Sequence, residues 1–356
     1  MPNSSPVIGK IFGIPIQLHW TFVILLIFSL ISPVLFAYIV LLFAFVTIHE
    51  IAHSVTAKRN GVQVKRIVLY PLGGGSLIDM NKMSPDLEFK ISIVGPLSNI
   101  LMAGLLGILV IFLPAGYISS FVQLLFLVNI LLGVLNILPA FPLDGGRILR
   151  SFLQSRYKRF RDQFTATMFV SKVSSVFAGG SFLFAIIYLF IPGYTESYRI
   201  LLSISFLIVA FYIYAGNRSE IYSSYVNRLA ARVEMKDIIS HEYAVVKPSS
   251  SISTLHKYAR EGVLKPVIYR DKERYFMVTR VQLNISQRPP KNAPKVSDFG
   301  IEIPSLSYKS TAKDVLNQIW LEQSPGAVIR RGNAIIGIVT RQHLEYVIAL
   351  HSSQKI

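Results

Sequence analysis

The first 217 residues contain six apolar runs, each close to the length that crosses a lipid bilayer. The runs cover residues 17–33, 35–57, 90–113, 119–141, 168–191 and 198–215. A helix needs about 20 predominantly apolar residues to cross the hydrocarbon core, and a spanning segment must satisfy its own backbone hydrogen bonds. The sequence therefore predicts an α-helical polytopic membrane domain with six transmembrane helices.

Composition supports this class and excludes others. Only 15% of the residues are charged and 52% are hydrophobic, whereas roughly 25% are charged in soluble domains. The chain has no cysteine, which excludes a disulfide scaffold and removes thiolates as metal ligands. The net charge of +17 would favour a polyanionic partner in a soluble protein, but basic residues also collect on the cytoplasmic side of membrane proteins. We expect a lipid bilayer as the partner and no nucleic acid.

The connections between the runs differ in charge. Arg199 is the only basic residue in the predicted outer loops, whereas the predicted inner segments carry basic clusters at 58–66 and 147–161. The positive-inside rule then places both termini in the cytoplasm, and an even number of spans agrees with that placement. We expect an integral, multi-pass protein of the cell membrane.

A metal-binding motif lies inside the second apolar run. His49, Glu50 and His53 form an H-E-x-x-H, and positions i and i+4 share one face of a helix, so both imidazoles can bind one zinc ion. Glu50 lies about 100° further round the helix, within reach of a water on that metal as a general base. Ionisable residues within a membrane span are energetically costly to insert and are functional by default.

A hydrolytic zinc site needs a third protein ligand, and Asp144 is the candidate. It follows the fourth apolar run in a segment broken by Pro139 and Pro142. The alternative is that Asp144 only caps the helix that follows. Asn136, two turns earlier, is predicted to donate a hydrogen bond to a developing oxyanion. Asn99 in the third run is assigned to interhelical packing.

Residues 64–80 fit neither a span nor a polar loop. Alternating apolar residues lead into Tyr70, Pro71 and three glycines at 73–75, a pattern that predicts a short hairpin. A plain cytoplasmic loop is the alternative.

These motifs resemble the site-2 protease family of intramembrane zinc metalloproteases. The shared elements are GIPIQLHW from residue 13, HEIAH from 49, PLGGG from 71 and NILPAFPLDGG from 136. The resemblance implies that His49, His53 and Asp144 bind zinc and that Glu50 activates water. It also implies that segments 8–19 and 64–80 form a membrane-embedded β-sheet near the substrate path. Membrane-tethered transcription regulators or anti-sigma-like proteins are the substrates expected from the family.

The C-terminal part repeats itself. Leu255 and Leu316, like Asp237 and Asp298, match at a constant spacing of 61 residues, which predicts a tandem repeat. Each copy is predicted as strand, helix, strand, strand and helix. We expect a membrane domain at 1–217, a linker at 218–232 and a soluble α/β domain at 233–356, with copies at about 233–286 and 295–350.

The repeats resemble a pair of CBS domains, which implies a regulatory role. Such pairs often bind adenosine nucleotides through an Asp three residues after a Thr, but this chain has Gln282 and His343 at those places. Nucleotide binding and a dimerising or docking role therefore stay open beside each other.

The predicted function is hydrolysis of peptide bonds within the transmembrane segments of other proteins. One alternative is a CBS-gated transporter or ion channel that uses the His, Glu and Asp cluster as an ion site. The apolar runs show no duplicated halves of the kind many transporters carry. A weaker alternative is a catalytically idle zinc-binding receptor.

Overall fold

The computed structural model describes residues 6–71, 73–79, 83–192, 195–251, 255, 266–278 and 295–353. The chain divides into two compact units, Met1–Tyr225 and Val226–Ile356. The boundary falls within a continuous helix, Glu196–Ala230, in the stretch for which the sequence predicted a linker.

Unit 1 is built mainly from helices. These are α1 (Trp20–Ser29), α2 (Pro33–Arg59), α3 (Pro85–Phe112), α4 (Tyr117–Ile137), α5 (Asp144–Arg156), α6 (Gln163–Leu189) and α7 (Glu196–Ala230), the last of which continues into unit 2. Among the described residues, five helices are long and apolar enough to cross a membrane, namely α2, α3, α4, α6 and α7. The prediction of a polytopic membrane protein is confirmed.

The prediction of six full spans is not confirmed, because the first apolar run is divided between two elements. Its first residues belong to a strand that ends at Leu18, and α1 is only 10 residues long. At 1.5 Å per residue α1 measures about 15 Å, half of the hydrocarbon thickness. Phe22 of α1 packs against Ile39 and Phe43 of α2, so α1 and α2 form a helical hairpin.

Local sequence signals set the starts of the long helices. Ser32, Ser84 and Asp162 cap α2, α3 and α6, each accepting a hydrogen bond from a backbone N–H in the first turn. Pro33 and Pro85 follow the first two caps, at a position where the missing proline N–H costs nothing.

A four-stranded sheet joins the bundle. Its strands β1 (Val7–Ile11), β2 (Ile14–Leu18), β3 (Val64–Tyr70) and β4 (Gly73–Ile78) lie in sequence order. Strands β2 and β3 are parallel, and the other neighbours are antiparallel. The predicted hairpin at 64–80 is confirmed, and so is the sheet formed by the two segments. Strand β4 is an edge strand, and it faces the site described below.

Unit 2 contains two small sheets. One holds β5 (Ala244–Val245), β6 (Val267–Asp271), β7 (Arg274–Val278) and β8 (Ile301–Ile303), and the other holds β9 (Ser305–Ser307), β10 (Gly326–Arg331) and β11 (Ala334–Thr340). The described helices of this unit beyond the end of α7 are α8 (Met235–Ile238), α9 (Ala312–Glu322), α10 (Arg341–Ser353) and a short 3-10 helix, Val296–Asp298.

The second copy of the repeat has the predicted order. Strand β9, helix α9, strands β10 and β11 and helix α10 follow one another. In the first copy, β5, β6 and β7 lie at the positions that match β9, β10 and β11, and Leu255 is buried like Leu316. The predicted helices of the first copy and the segment 287–294 between the copies fall mostly or wholly outside the described residues.

Candidate metal centre

One turn of α2 carries three of the predicted site residues. His49, Glu50 and His53 are each at most 8% exposed, although all three have ionisable side chains. The four-residue spacing places the two imidazoles on one face of α2, and their Nε2 atoms lie 3.0 Å apart.

Helix α3 orients both imidazoles. The Oδ1 of Asn99 lies 2.8 Å from Nδ1 of His49, and the carbonyl oxygen of Ile91 lies 2.6 Å from Nδ1 of His53. A carbonyl oxygen can only accept, so each Nδ1 donates and each Nε2 presents a lone pair to the site. Asn99 therefore links two helices, as predicted, and it also orients His49, a candidate metal ligand. The sequence did not reveal this second role.

A glycine lets α3 approach the two histidines. A Cβ added at Gly95 would lie 2.2 Å from Nε2 of His53 and 2.7 Å from Cε1 of His49. Pro96, the next residue, lies inside α3 and has no N–H to donate to the carbonyl oxygen of Ser92, four residues earlier.

Asp144 reaches the same point from another helix. Its Oδ2 lies 3.1 Å from Nε2 of His49 and 3.2 Å from Nε2 of His53. It is the first residue of α5, whose cap position is Leu143 and carries no side-chain capping hydrogen bond. The alternative in which Asp144 only caps the helix is wrong for this reason.

One glycine and one hydroxyl group position the segment that carries Asp144. A Cβ at Gly145 would lie 2.2 Å from the carbonyl oxygens of Ile137 and Leu138, so only glycine lets α5 fold back onto the end of α4. The backbone N–H of Phe141 donates to Oγ of Ser174 on α6 at 2.8 Å. The segment between α4 and α5 is thus fixed from two sides.

The donor set fits zinc. One ligand atom each from His49, His53 and Asp144 lies within 4.8 Å of the other two. Two imidazole lone pairs and a carboxylate oxygen would repel one another unless a cation lay among them. Two His and one carboxylate form one of the sets that hold catalytic zinc, and each Nδ1 already has an acceptor that fixes its ring.

Glu50 faces a cavity of about 290 Å³. Ser76 of β4 donates its hydroxyl to Oε2 of Glu50 at 2.8 Å, and a Cβ at Gly74 would lie 2.5 Å from Cγ of Glu50. The edge strand therefore holds the carboxylate, and its second glycine makes room for it.

Asn136 lines the same cavity as the metal-ligand candidates, from the last turn of α4. Tyr212 of α7 also lines it, a residue the sequence gave no reason to select. Ser76 was missed as well, although its place beside three glycines was visible. All five predicted site residues, the four around the metal centre and Asn136, meet at one cavity.

A membrane metalloprotease needs donors for a metal, a carboxylate beside them and a cavity within an apolar bundle. This site has all three features. The model of peptidase family M50 matches residues 37–116 and 112–179. A zinc metalloprotease of Methanocaldococcus jannaschii is 32% identical over 274 residues, 72% of this chain and 74% of the relative. The chain belongs to peptidase family M50, the site-2 protease family, and is a metalloprotease.

Two further similarities extend along the chain. A relative from Mycobacterium tuberculosis, named as the zinc metalloprotease Rip3, is 24% identical over 372 residues, 96% of this chain and 91% of the relative. The solved structure titled site-2 protease from Methanocaldococcus jannaschii is 32% identical, with a TM-score of 0.46, and covers 61% of this chain and 95% of that one.

Proposed function

We propose that this protein hydrolyses peptide bonds within transmembrane segments of other membrane proteins. The observation that carries the proposal is the convergence of His49, His53 and Asp144 beside Glu50, in a cavity between helices long enough to cross a bilayer. A soluble substrate would not need a site built at that depth.

His49, His53 and Asp144 hold the zinc ion in this proposal. When bound, zinc would act as a Lewis acid and lower the pKa of a bound water toward neutrality. Glu50 accepts a proton from the attacking water at a carboxylate oxygen and later returns it to the leaving nitrogen. Ser76 keeps that carboxylate turned toward the cavity.

Asn136 donates its amide N–H to the carbonyl oxygen of the scissile bond as negative charge develops there. A neutral amide suits this position, because it needs no counter-charge of its own within the bundle.

A substrate helix must unwind before attack, since its amides are paired internally. Strand β4 offers an edge for the unwound segment, because β4 lies at the end of the sheet and lines the cavity. Added as a fifth strand, the substrate would keep its backbone hydrogen bonds while it lay beside the metal centre.

The activity is tested with purified full-length protein and a model transmembrane substrate. We expect Glu50→Gln to lower cleavage about 1000-fold while zinc content stays at that of the wild type. A transporter that used the same cluster would instead show altered ion flux in Glu50→Gln and no cleavage by the wild type. An idle receptor would bind zinc and substrate but cleave nothing in either form.

The edge-strand step is tested separately by cross-linking. The chain lacks cysteine, so Gly75→Cys in the Glu50→Gln background introduces a single thiol. A Cβ at Gly75 meets nothing closer than 4.0 Å, so we expect the substitution to be tolerated. Cross-links to a series of substrate cysteines should recur at every second residue. A recurrence every three to four residues would mean that the substrate stays helical, and it would contradict this step.

We further propose that the protein lies in the cell membrane with both termini in the cytoplasm. Strand β2 adds about 16 Å and helix α1 about 15 Å, together enough for one crossing beside the five long helices. Arg147 and Arg150 are paired with glutamates, so for this connection the positive-inside argument relies on the basic residues at 156–161. Membrane-tethered transcription regulators or anti-sigma-like proteins are the proposed substrates.

Unit 2 is proposed to act as a CBS-like regulatory element, with nucleotide binding or dimerisation as its means. A cavity in this unit favours nucleotide binding. It has a volume of about 390 Å³, and the residues that line it include Lys236, His241, Arg331 and Tyr308. The guanidinium of Arg331 lies 4.9 Å from the centre of the Tyr308 ring. We expect titration with ATP or AMP to give saturable binding that Arg331→Gln weakens and the surface variant Arg274→Gln does not. Absence of binding, with a dimer in solution, would favour the docking role.

A further inference from the structure

A cluster of four charges lies beside the start of α5. Arg147 and Arg150 project from α5, Glu88 from α3 and Glu220 from α7. The side chain of Arg150 is 2% exposed, and it donates to Glu88, to Glu220 at 3.0 Å and to Thr167 of α6 at 3.4 Å. The cluster is formally neutral and joins α5 to three other helices.

Glu220 divides its two oxygens between the two arginines. Oε1 accepts from Arg147 at 3.0 Å, and Oε2 accepts from Arg150 at 3.0 Å. Glu88 already neutralises Arg150. The Oε1 oxygen of Glu220 therefore serves Arg147, which lines the cavity of the metal centre.

Arg147 is a natural competitor for a metal ligand. It follows Asp144 by three residues on the same helix, and acidic and basic side chains at that spacing ordinarily meet and pair. In the structure the carboxylate of Asp144 faces His49 and His53 instead, while Arg147 is turned to Glu220.

Helix α7 is held close enough for Glu220 to do this. Gly216, one turn before Glu220, has space where an added Cβ would lie 2.3 Å from the ring of Pro142. Tyr212, one further turn back, lines the cavity. The four-residue spacing puts all three residues on one face of α7, against the segment that carries Asp144.

We infer that Glu220 is a positioning residue that draws Arg147 away from Asp144 and so leaves the carboxylate free to bind the metal. The inference rests on the proposed zinc site. Without Glu220, the guanidinium of Arg147 would turn to Asp144 and compete directly with the cation for the same oxygens.

The test measures zinc affinity of the full-length protein in detergent by competition with a chelator. We expect Glu220→Gln to weaken zinc binding about tenfold, the scale seen when a group that supports a ligand is lost. Adding Arg147→Gln to Glu220→Gln removes the competitor and should restore the affinity to within about twofold of the wild type. Arg218→Gln changes one exposed charge on the same helix and should have no effect.

Three outcomes would overturn the inference. One is an unchanged affinity in Glu220→Gln, and another is a loss in Arg218→Gln as large as that in Glu220→Gln. A third is a weakened affinity that Arg147→Gln does not restore, which would make Glu220 a structural anchor acting through Arg150. If Glu220→Gln does not fold, Glu220→Asp, which is too short to reach both arginines, takes its place with the same expected restoration. A wild type that binds no zinc would instead overturn the proposed function.

Discussion

The two halves of the candidate metal centre are built in different ways. His49 and His53 come from one regular helix, where a four-residue spacing is enough to bring their rings together. Asp144 comes from a broken segment between α4 and α5, where no periodicity fixes its direction. The spacing of the first half is set by local geometry and its ring orientation by α3, whereas the position of the second half depends on contacts with α4, α6 and α7.

The difference shows where the site is vulnerable. The histidine half would keep its spacing if a neighbour moved, because α2 supplies its own backbone hydrogen bonds. The position of the carboxylate is not fixed by a regular helix in this way, since a shift of the segment by about 1 Å takes the carboxylate out of ligand distance. Substitutions of glycine can test this contrast, because each half is packed against a glycine, Gly95 for the histidines and Gly145 for the carboxylate.

The largest effect is expected from Gly145→Ala in the broken segment. Its Cβ would meet two backbone carbonyl oxygens at 2.2 Å, and backbone cannot turn aside as a side chain can. We expect zinc affinity to fall about 100-fold, as measured by chelator competition. Gly180→Ala on α6, where nothing lies within 4 Å of the added Cβ, is the matched control. A full zinc content in Gly145→Ala would show that the segment adapts, and the contrast would fail.

A smaller loss is expected from Gly95→Ala, which presses on the histidine half. The added Cβ would meet the two imidazole rings at 2.2 Å and 2.7 Å, and rings can tilt where backbone cannot. We expect zinc affinity to fall about 20-fold. Gly104→Ala lies on the same helix in open space and should bind zinc like the wild type. A larger loss for Gly95→Ala than for Gly145→Ala would reverse the ranking of the two halves.

The smallest effect is expected from Ser76→Ala, which leaves both halves intact. It removes the hydrogen bond to the Glu50 carboxylate, worth about 1 kcal/mol or about fivefold in kcat/KM. Zinc affinity should not change, because Ser76 makes no contact with a metal-ligand candidate in the described structure. Steady-state cleavage of the model substrate measures the effect, and Ser205→Ala, whose hydroxyl donates to the Leu201 carbonyl of its own helix, is the control. Loss of zinc from Ser76→Ala would contradict this separation.

The same contrast explains how far the sequence alone could be read. The pair of histidines and Glu50 followed from spacing, and the hairpin at 64–80 followed from its glycines. The length of the first span did not follow, because residues such as Leu18 are as apolar in a strand as in a helix. Pairing of β2 with the distant strand β3 decided the matter, and no local pattern contains that contact.

Partners of the site residues were harder still to predict. Asn99 was visible as a polar residue in an apolar run, yet its contact with His49 depends on how α2 and α3 pack. Glu220 lies 76 residues after Asp144, and nothing nearby in the sequence connects the two.

The sequence by itself determined which residues are the candidates for the chemistry, because H-E-x-x-H on a helix and an acidic residue after a broken span are properties of neighbouring positions. It also determined the membrane class, since apolar length is a local quantity. Only the tertiary structure decided what holds those residues in place: Asn99 against His49, Ser76 against Glu50, and Glu220 against Arg147. Such contacts arise when helices distant in the chain pack closely, and close packing is set by the shapes of all the surfaces together.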